Sequence, residues 1–249
     1  MKRLKHKKSI STLLTIYFLF SVTLQAQESN TAHGFVIELT QGQLLTIIEP
    51  LNKENSQEAV KKYYQTAIPL AQKHGFKNEG TLVSQKTLVG KFAPPGVVFA
   101  TWPNRQSEQS FLAEPEWPNL KEMRPLAWQE LKIFTAEVSE DTVLSFDPDK
   151  HYTLAIAWFD PEHPNDYLQY LDNIESVLLS SGGRFMYKMK NPTFEKHASE
   201  QKAPNQLTIV EWDSVDGLQQ LQAKEQYQKH VALLENGVVD FELHLLFAQ

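Results

Sequence analysis

Apolar positions along the chain recur at two periods, and the same succession of periods is written twice. Leu44–Glu49 predicts a strand. Ser56 to Lys73 follows with Val60, Tyr63, Tyr64, Ala67, Ile68 and Ala71 on one helical stripe. Ser56 is the expected N-cap, with Glu58 in the first turn. Pro69 is expected to kink or break the last turns, before His74-Gly75 ends the helix. Thr81–Val89 and Val97–Trp102 predict strands joined through Pro94-Pro95-Gly96. Ser107 to Met123 reads as a helix interrupted by Pro115 and Pro118, and Glu130–Val138 as a fourth strand.

The second succession has the same order. Tyr152–Phe159 predicts a strand, and Pro164 stands where a first helical turn tolerates it. Asn165 to Ser181 carries the stripe Tyr167, Tyr170, Leu171, Ile174, Val177 and Leu178, and Gly182-Gly183 stops it. Arg184–Lys190 and Gln206–Trp212 predict strands separated by a polar loop, Asn191 to Asn205. Val215, Leu218 and Leu221 mark a second helix, and Val238–Phe247 the last strand. Before the first copy, Phe35, Ile37 and Leu39 alternate in a short run that fits an extra edge strand or, as the alternative, a mobile arm.

The two copies register residue by residue. Leu45 and Ile47 fall on Leu154 and Ile156, Phe99 and Trp102 on Ile209 and Trp212, and Phe111, Ala113 and Trp117 on Leu221, Ala223 and Tyr227. A shared order β-α-β-β-α-β at this spacing implies two tandem ferredoxin-like domains, an α+β fold. Residues 43–147 form the expected first domain and 148–249 the second, divided at Asp147-Pro148-Asp149; 27–42 form an N-terminal arm. Thr153 to Phe159 is apolar on both sides, whereas a sheet with one wet face alternates. The second face is therefore expected to be covered as well, most simply by the sheet of the other copy, giving a two-sheet barrel within one chain.

Three segments of the second copy carry a family resemblance: Gly182-Gly183-Arg184-Phe185, the run Leu207 to Ser214 containing Glu211-Trp212, and Glu225-Gln226-Tyr227-Gln228. They resemble the dimeric α/β-barrel superfamily and, within it, a family catalogued as a domain of unknown function. That family has a strand ending in Glu plus an aromatic residue. Its helix ends in a Glu-Tyr-Gln-like segment, with an Arg seven residues after the Tyr. The first copy keeps the Arg as Arg124, with Trp117 in place of the Tyr; the second copy has Leu234 there instead. The resemblance implies sheet-to-sheet pairing, here within one chain as an intramolecular barrel, and a ligand cavity. Activities in the superfamily include cofactor-independent oxygenases, isomerases, dehydratases and haem-handling proteins, so it implies no single reaction.

Composition narrows the chemistry. The chain has no cysteine, which removes disulfides, thiol nucleophiles and thiolate metal centres. Lys2, Arg3, Lys5, Lys7 and Lys8 precede an apolar stretch, Ile10 to Leu24, and Leu24-Gln25-Ala26 resembles a cleavage site. Residues 1–26 are thus expected to be a signal peptide, and the protein to be exported to the periplasm or medium, without stable membrane insertion after cleavage. Cleavage would move the net charge from −6 to −11, a surface that repels nucleic acid. A monomer with pseudo-twofold symmetry is expected. Hydrolase-elbow, dinucleotide, P-loop and zinc-protease motifs are all missing from the sequence.

The candidate site residues follow from these placements. On the last strand Glu242, His244 and Leu246 share one face; His244 is expected to look between the sheets. Glu211, at the end of another strand, is the candidate partner for a general base and orienter pair. Trp102, Trp158 and Trp212 lie near strand ends and, with Tyr227 and Arg124, are candidates for holding an aromatic ligand. Asp160, Glu162 and His163 read as turn chemistry rather than as metal ligands; no metal and no cofactor are expected. The expected function is an exported small-molecule-binding or accessory protein that holds a small apolar or aromatic ligand, or a protein partner, between the sheets. The alternative is a cofactor-independent enzyme of oxygenase or isomerase type, working on a small organic molecule between the sheets.

Overall fold

The computed structural model describes residues 34–197 and 202–248. The expected signal segment and most of the arm before Gly34 lie outside the described residues. The elements are β1 (Phe35–Leu39), β2 (Leu44–Asn52), α1 (Gln57–Gln72), β3 (Lys77–Val89), β4 (Gly96–Trp102), α2 (Arg105–Leu112), α3 (Trp117–Ala127), β5 (Trp128–Glu137) and β6 (Thr142–Phe146), then β7 (His151–Phe159), α4 (Asp166–Leu179), β8 (Gly183–Lys190), β9 (Thr193–His197), β10 (Gln206–Trp212), α5 (Gly217–Gln222), α6 (Glu225–Gln228), α7 (Val231–Gly237) and β11 (Val238–Ala248). No helix among the described residues is long and apolar enough to cross a membrane.

Nine strands make one antiparallel sheet in the order β8-β10-β7-β11-β3-β4-β2-β5-β9, and β1 pairs with β6 in a separate ribbon. The sheet curls around a shared core. Leu45, Ile47, Phe99 and Phe134 from one half of the strand order pack in the same cluster as Tyr152, Leu154, Ile156, Ile209 and Leu246 from the other. Ile37, Leu144 and Phe146 of the ribbon join that cluster, so β1 is an extra strand, as its alternation predicts, but on β6 rather than on the main sheet. The apolar run of β7 is explained by burial on both sides: Leu154, Ile156 and Trp158 face this core, and Ala157 faces the helices. The helices cover the outer surface in two groups. Those of residues 57–127 pack around Tyr63, Leu70, Trp117 and Trp128, and those of 166–237 around Tyr167, Leu171, Ile174 and Trp212.

Several local expectations are corrected. α1 continues without a break through Pro69 to Gln72; the ring removes one helical donor near the end of the helix, where few bonds depend on it. Ser56 makes no capping bond; its hydroxyl donates instead to the Lys53 carbonyl at 2.8 Å. Pro118 sits in the first turn of α3 rather than ending a helix. The polar loop expected at 191–205 contains β9, which pairs with β5 from Leu131↔His197 to Thr135↔Thr193. A strand was hidden there because Thr193 to His197 has little hydrophobic contrast, and its partner lies some 60 residues upstream.

One glycine has a steric role that the sequence does not reveal. A Cβ on Gly237 would sit 2.4 Å from the Tyr167 nitrogen, where α7 meets the start of α4. Gly237→Ala is expected to cost about 1–3 kcal/mol, measurable by urea unfolding. A change within 0.5 kcal/mol would mean that the two helices separate freely.

Candidate functional site

The outer surface of β2, β4 and β5 and the helices over it enclose a cleft of about 340 Å³. Its floor is Thr46, Ile48, Val98, Ile133 and Thr135, and its walls include Tyr63, Trp102, Phe111, Trp117 and Trp128. The rings pack edge to face: Tyr63 against Trp128 at 4.7 Å and Phe111 against Trp117 at 4.8 Å. Such walls suit a flat apolar molecule.

The polar end of this cleft is built from three elements. Arg124 of α3 is buried. Its Nε donates to the Tyr63 hydroxyl of α1 at 3.1 Å, and its Nη1 lies 3.0 Å from the Glu195 carboxylate of β9. The guanidinium also lies 4.8 Å from the centre of the Trp117 ring. Burial pulls the Arg124 pKa down, but Tyr63 and Glu195 outweigh it and raise it above the ordinary value. For Glu195 burial pushes upward, and Arg124 and Lys121 overcome it, holding the carboxyl below its usual range. The charge on both partners is therefore secure at neutral pH.

A second cleft, of about 320 Å³, lies on the outer surface of β7 and β10 under α4 to α7. Tyr167, Tyr170, Trp212, Tyr227 and Leu234 line it. The Tyr170 hydroxyl donates to that of Tyr227 at 3.2 Å, and Trp212 donates from its indole nitrogen to Thr153 at 3.0 Å. Burial raises the pKa of Tyr167 and of Tyr170, so both stay neutral. Among the described residues, no lysine or arginine lines this cleft.

The concave side of the sheet holds a polar cluster among its apolar residues. Glu49 of β2, Lys132 of β5, and Glu242 and His244 of β11 are all buried. Glu49 and Lys132 are ladder partners; three strands separate β11 from β5 in the order, so the contact crosses the concave space. Lys132 Nζ donates to both Glu242 oxygens, at 2.7 and 2.6 Å. His244 Nε2 is 3.6 Å from Glu49 Oε1 and 3.8 Å from Glu242 Oε2, too far for hydrogen bonds. Burial pushes the Glu49 pKa up to about 7, with His244 and Lys132 opposing it. On Glu242 burial acts upward too, but His244 and Lys132 prevail and hold it below the ordinary value. Glu49, Glu242 and His244 each offer a ligand atom within 4.8 Å of the others.

The residues singled out from sequence thus divide among three places. Trp102 and Arg124 share the first cleft, and Trp212 and Tyr227 the second. Trp158 lines neither: it packs in the concave core and donates to the Lys202 carbonyl at 2.7 Å. His244 faces the concave side, as its alternation predicts, but its partner is not Glu211. Glu211 accepts two bonds from Arg184, both at 2.8 Å. It also lies across β7 from β11, on the rung of Tyr152 and Leu246, while His244 is on the rung of Leu154. At about 4.8 Å per strand the two are on the order of 10 Å apart. Asp160 is a turn residue, accepting from the Glu162 amide at 2.8 Å. Sequence reasoning missed Glu49, Lys132 and Glu195. A charged residue at an alternate, otherwise apolar position of a strand (Glu49 after Leu45 and Ile47, Lys132 before Phe134) is the signal that could have found the first two.

Comparison with known proteins agrees with the fold. The family model described as Domain of unknown function (DUF1330) matches residues 152–245. No curated protein sequence matches the chain. Among solved structures, an anthrone oxidase-like protein is similar with a TM-score of 0.55 and 11% identity, over 85% of this chain and 94% of that one. A mutant chlorite dismutase from Candidatus Nitrospira defluvii gives a TM-score of 0.47 at 8% identity, over 84% and 92%. A candidate monooxygenase from Fusobacterium nucleatum subsp. nucleatum gives 0.43 at 8% identity, over 84% and 93%. The chain is a mixed α+β protein with antiparallel sheets and neighbours among the dimeric α/β barrels.

Proposed function

We propose that this protein binds a small aromatic molecule in the cleft over β2, β4 and β5, with an oxygen or carboxylate of the ligand directed at Arg124. The observation that carries this reading is the coincidence of a 340 Å³ aromatic-walled cleft with a buried, permanently charged guanidinium at its end. Arg124 has five N–H donors, and among the described residues Tyr63 and Glu195 engage two of them, which leaves donors for a ligand. A tandem duplication closing into an intramolecular barrel accounts for the layout. Phe99 and Ile209 point into one core, and the matched pairs Trp102/Trp212 and Trp117/Tyr227 wall the two outer clefts. On that reading 43–147 and 148–249 are diverged copies, and only the first kept the Arg. The basic and apolar leader, residues 1–26, supports action outside the cytoplasm.

Native mass spectrometry of protein from its own host tests the binding. A co-purifying aromatic molecule, displaced by 1-naphthoate, is the expected result. Trp102→Phe is expected to weaken 1-naphthoate by about 2–10-fold through lost ring contact; unchanged affinity would place the ligand elsewhere. The alternative is a cofactor-independent enzyme of the oxygenase or isomerase type, supported by the fold shared with an anthrone oxidase-like protein. Oxygen uptake on addition of an anthrone would favour it.

A further inference from the structure

Three atoms of the concave cluster, both Glu49 oxygens and His244 Nε2, are buried without a hydrogen-bond partner, and His244 Nε2 stands at ion-pair distance from Glu49 and Glu242. His244 is wholly buried, as is Glu49 (both 0% exposed). An orphaned carboxylate facing an orphaned imidazole nitrogen is costly unless a cation stands between them.

The hydrogen bonding around His244 says which nitrogen faces that space. Thr87 Oγ1 donates to the Phe92 carbonyl at 3.3 Å and lies 3.1 Å from His244 Nδ1. A carbonyl only accepts, so the single hydroxyl hydrogen is committed to it, and Nδ1–H is then the donor to Thr87. Nε2 then faces Glu49 and Glu242, where it holds either a proton or, once deprotonated, a metal ion. This is the arrangement in which a histidine ligates a metal through one nitrogen and is oriented through the other.

Distances agree. With metal–ligand bonds of about 2.0–2.2 Å, the corners of a tetrahedron are roughly 3.3–3.6 Å apart. His244 Nε2 stands 3.6 Å from Glu49 and 3.8 Å from Glu242, long for hydrogen bonds and near such edges, and all three ligand atoms lie within 4.8 Å of one another, so the set would contract by up to about 1 Å around an ion. Lys132 can keep its 2.7 Å bond to Glu242 Oε1 while Oε2 turns to a metal, the role of an outer partner that orients a ligand. Gly90, at φ +99°, turns the chain beyond β3; Phe92 there packs 4.1 Å from Lys132 Nζ and covers the cluster.

We propose that Glu49, Glu242 and His244 bind a divalent transition-metal ion of the zinc class, with a fourth position left to water or a small ligand. One imidazole with two carboxylates suits Zn²⁺ better than the all-oxygen shells of Ca²⁺ and Mg²⁺. The site is on the opposite side of the sheet from the aromatic cleft and does not depend on it.

The test is cobalt titration of the full chain, stripped with a chelator. One Co²⁺ per chain with the intense visible absorption of tetrahedral cobalt, displaced by Zn²⁺, is the expected result. Zn²⁺ should also raise the melting temperature of the stripped protein. Thr87→Val, which frees the His244 tautomer, should weaken Co²⁺ by about 10–100-fold. Glu49→Gln and His244→Gln should abolish uptake, while the exposed Glu162→Gln leaves it intact. Failure of wild-type protein to take up Co²⁺ would overturn the proposal even if the variants do not fold. Uptake that survives both Glu49→Gln and His244→Gln would do so as well. So would a ¹⁵N spectrum with both His244 nitrogens protonated in zinc-treated protein, since a proton would then be the cation.

Discussion

Lys132→Met is expected to lower the unfolding free energy by about 3–5 kcal/mol. The variant keeps the length of the side chain but strips the charge that Glu242 leans on. Glu242 would be left buried beside Glu49, two carboxylates sharing an apolar space with His244. The ion pair itself is a poor source of net stability, because desolvating both charges offsets most of their attraction. Its loss is costly only because one partner stays behind. The double variant Lys132→Met/Glu242→Leu is therefore expected to regain most of the stability. Equilibrium urea unfolding of the three proteins decides the matter. If the single variant loses less than 1 kcal/mol, water reaches the cluster and it is not an interior one.

Arg124→Leu is the second large effect. It is expected to cut affinity for 1-naphthoate by about 10–100-fold, the worth of one or two charge-assisted hydrogen bonds, while affinity for naphthalene changes little. The comparison matters because Arg124 also packs on Trp117 and holds Tyr63 and Glu195. A general collapse of the cleft would weaken both ligands alike, and calorimetry with the pair would reveal it. Arg124→Lys is expected to recover only part of the preference, since an ammonium lacks the planar fork. Equal losses for naphthoate and naphthalene would end the assignment of Arg124 as an anion partner.

Much of the architecture was legible along the chain. The period-3.6 stripe of Tyr167 to Leu178 is α4, and the two-sided apolar run of residues 152–159 belongs to β7, buried on both faces. His244 was placed on the right face from alternation alone. What could not be read was pairing at a distance. β9 has no strong pattern of its own, and only its ladder with β5 makes it a strand; with it comes Glu195, the partner of Arg124. Trp158 and Trp212 look alike in sequence, yet opposite strand faces send one to the concave core and the other to the second cleft.

The order of residues by itself determined most of the elements and the inward or outward sense of many side chains, because these follow from backbone periodicity within ten or so residues. The curl of the sheet decided the rest. Only it brings Lys132 on β5 against Glu242 on β11, and only β9 carries Glu195 to Arg124. Such contacts join residues 71 to 110 positions apart, and the energy that selects them is burial shared by the whole core rather than any local preference.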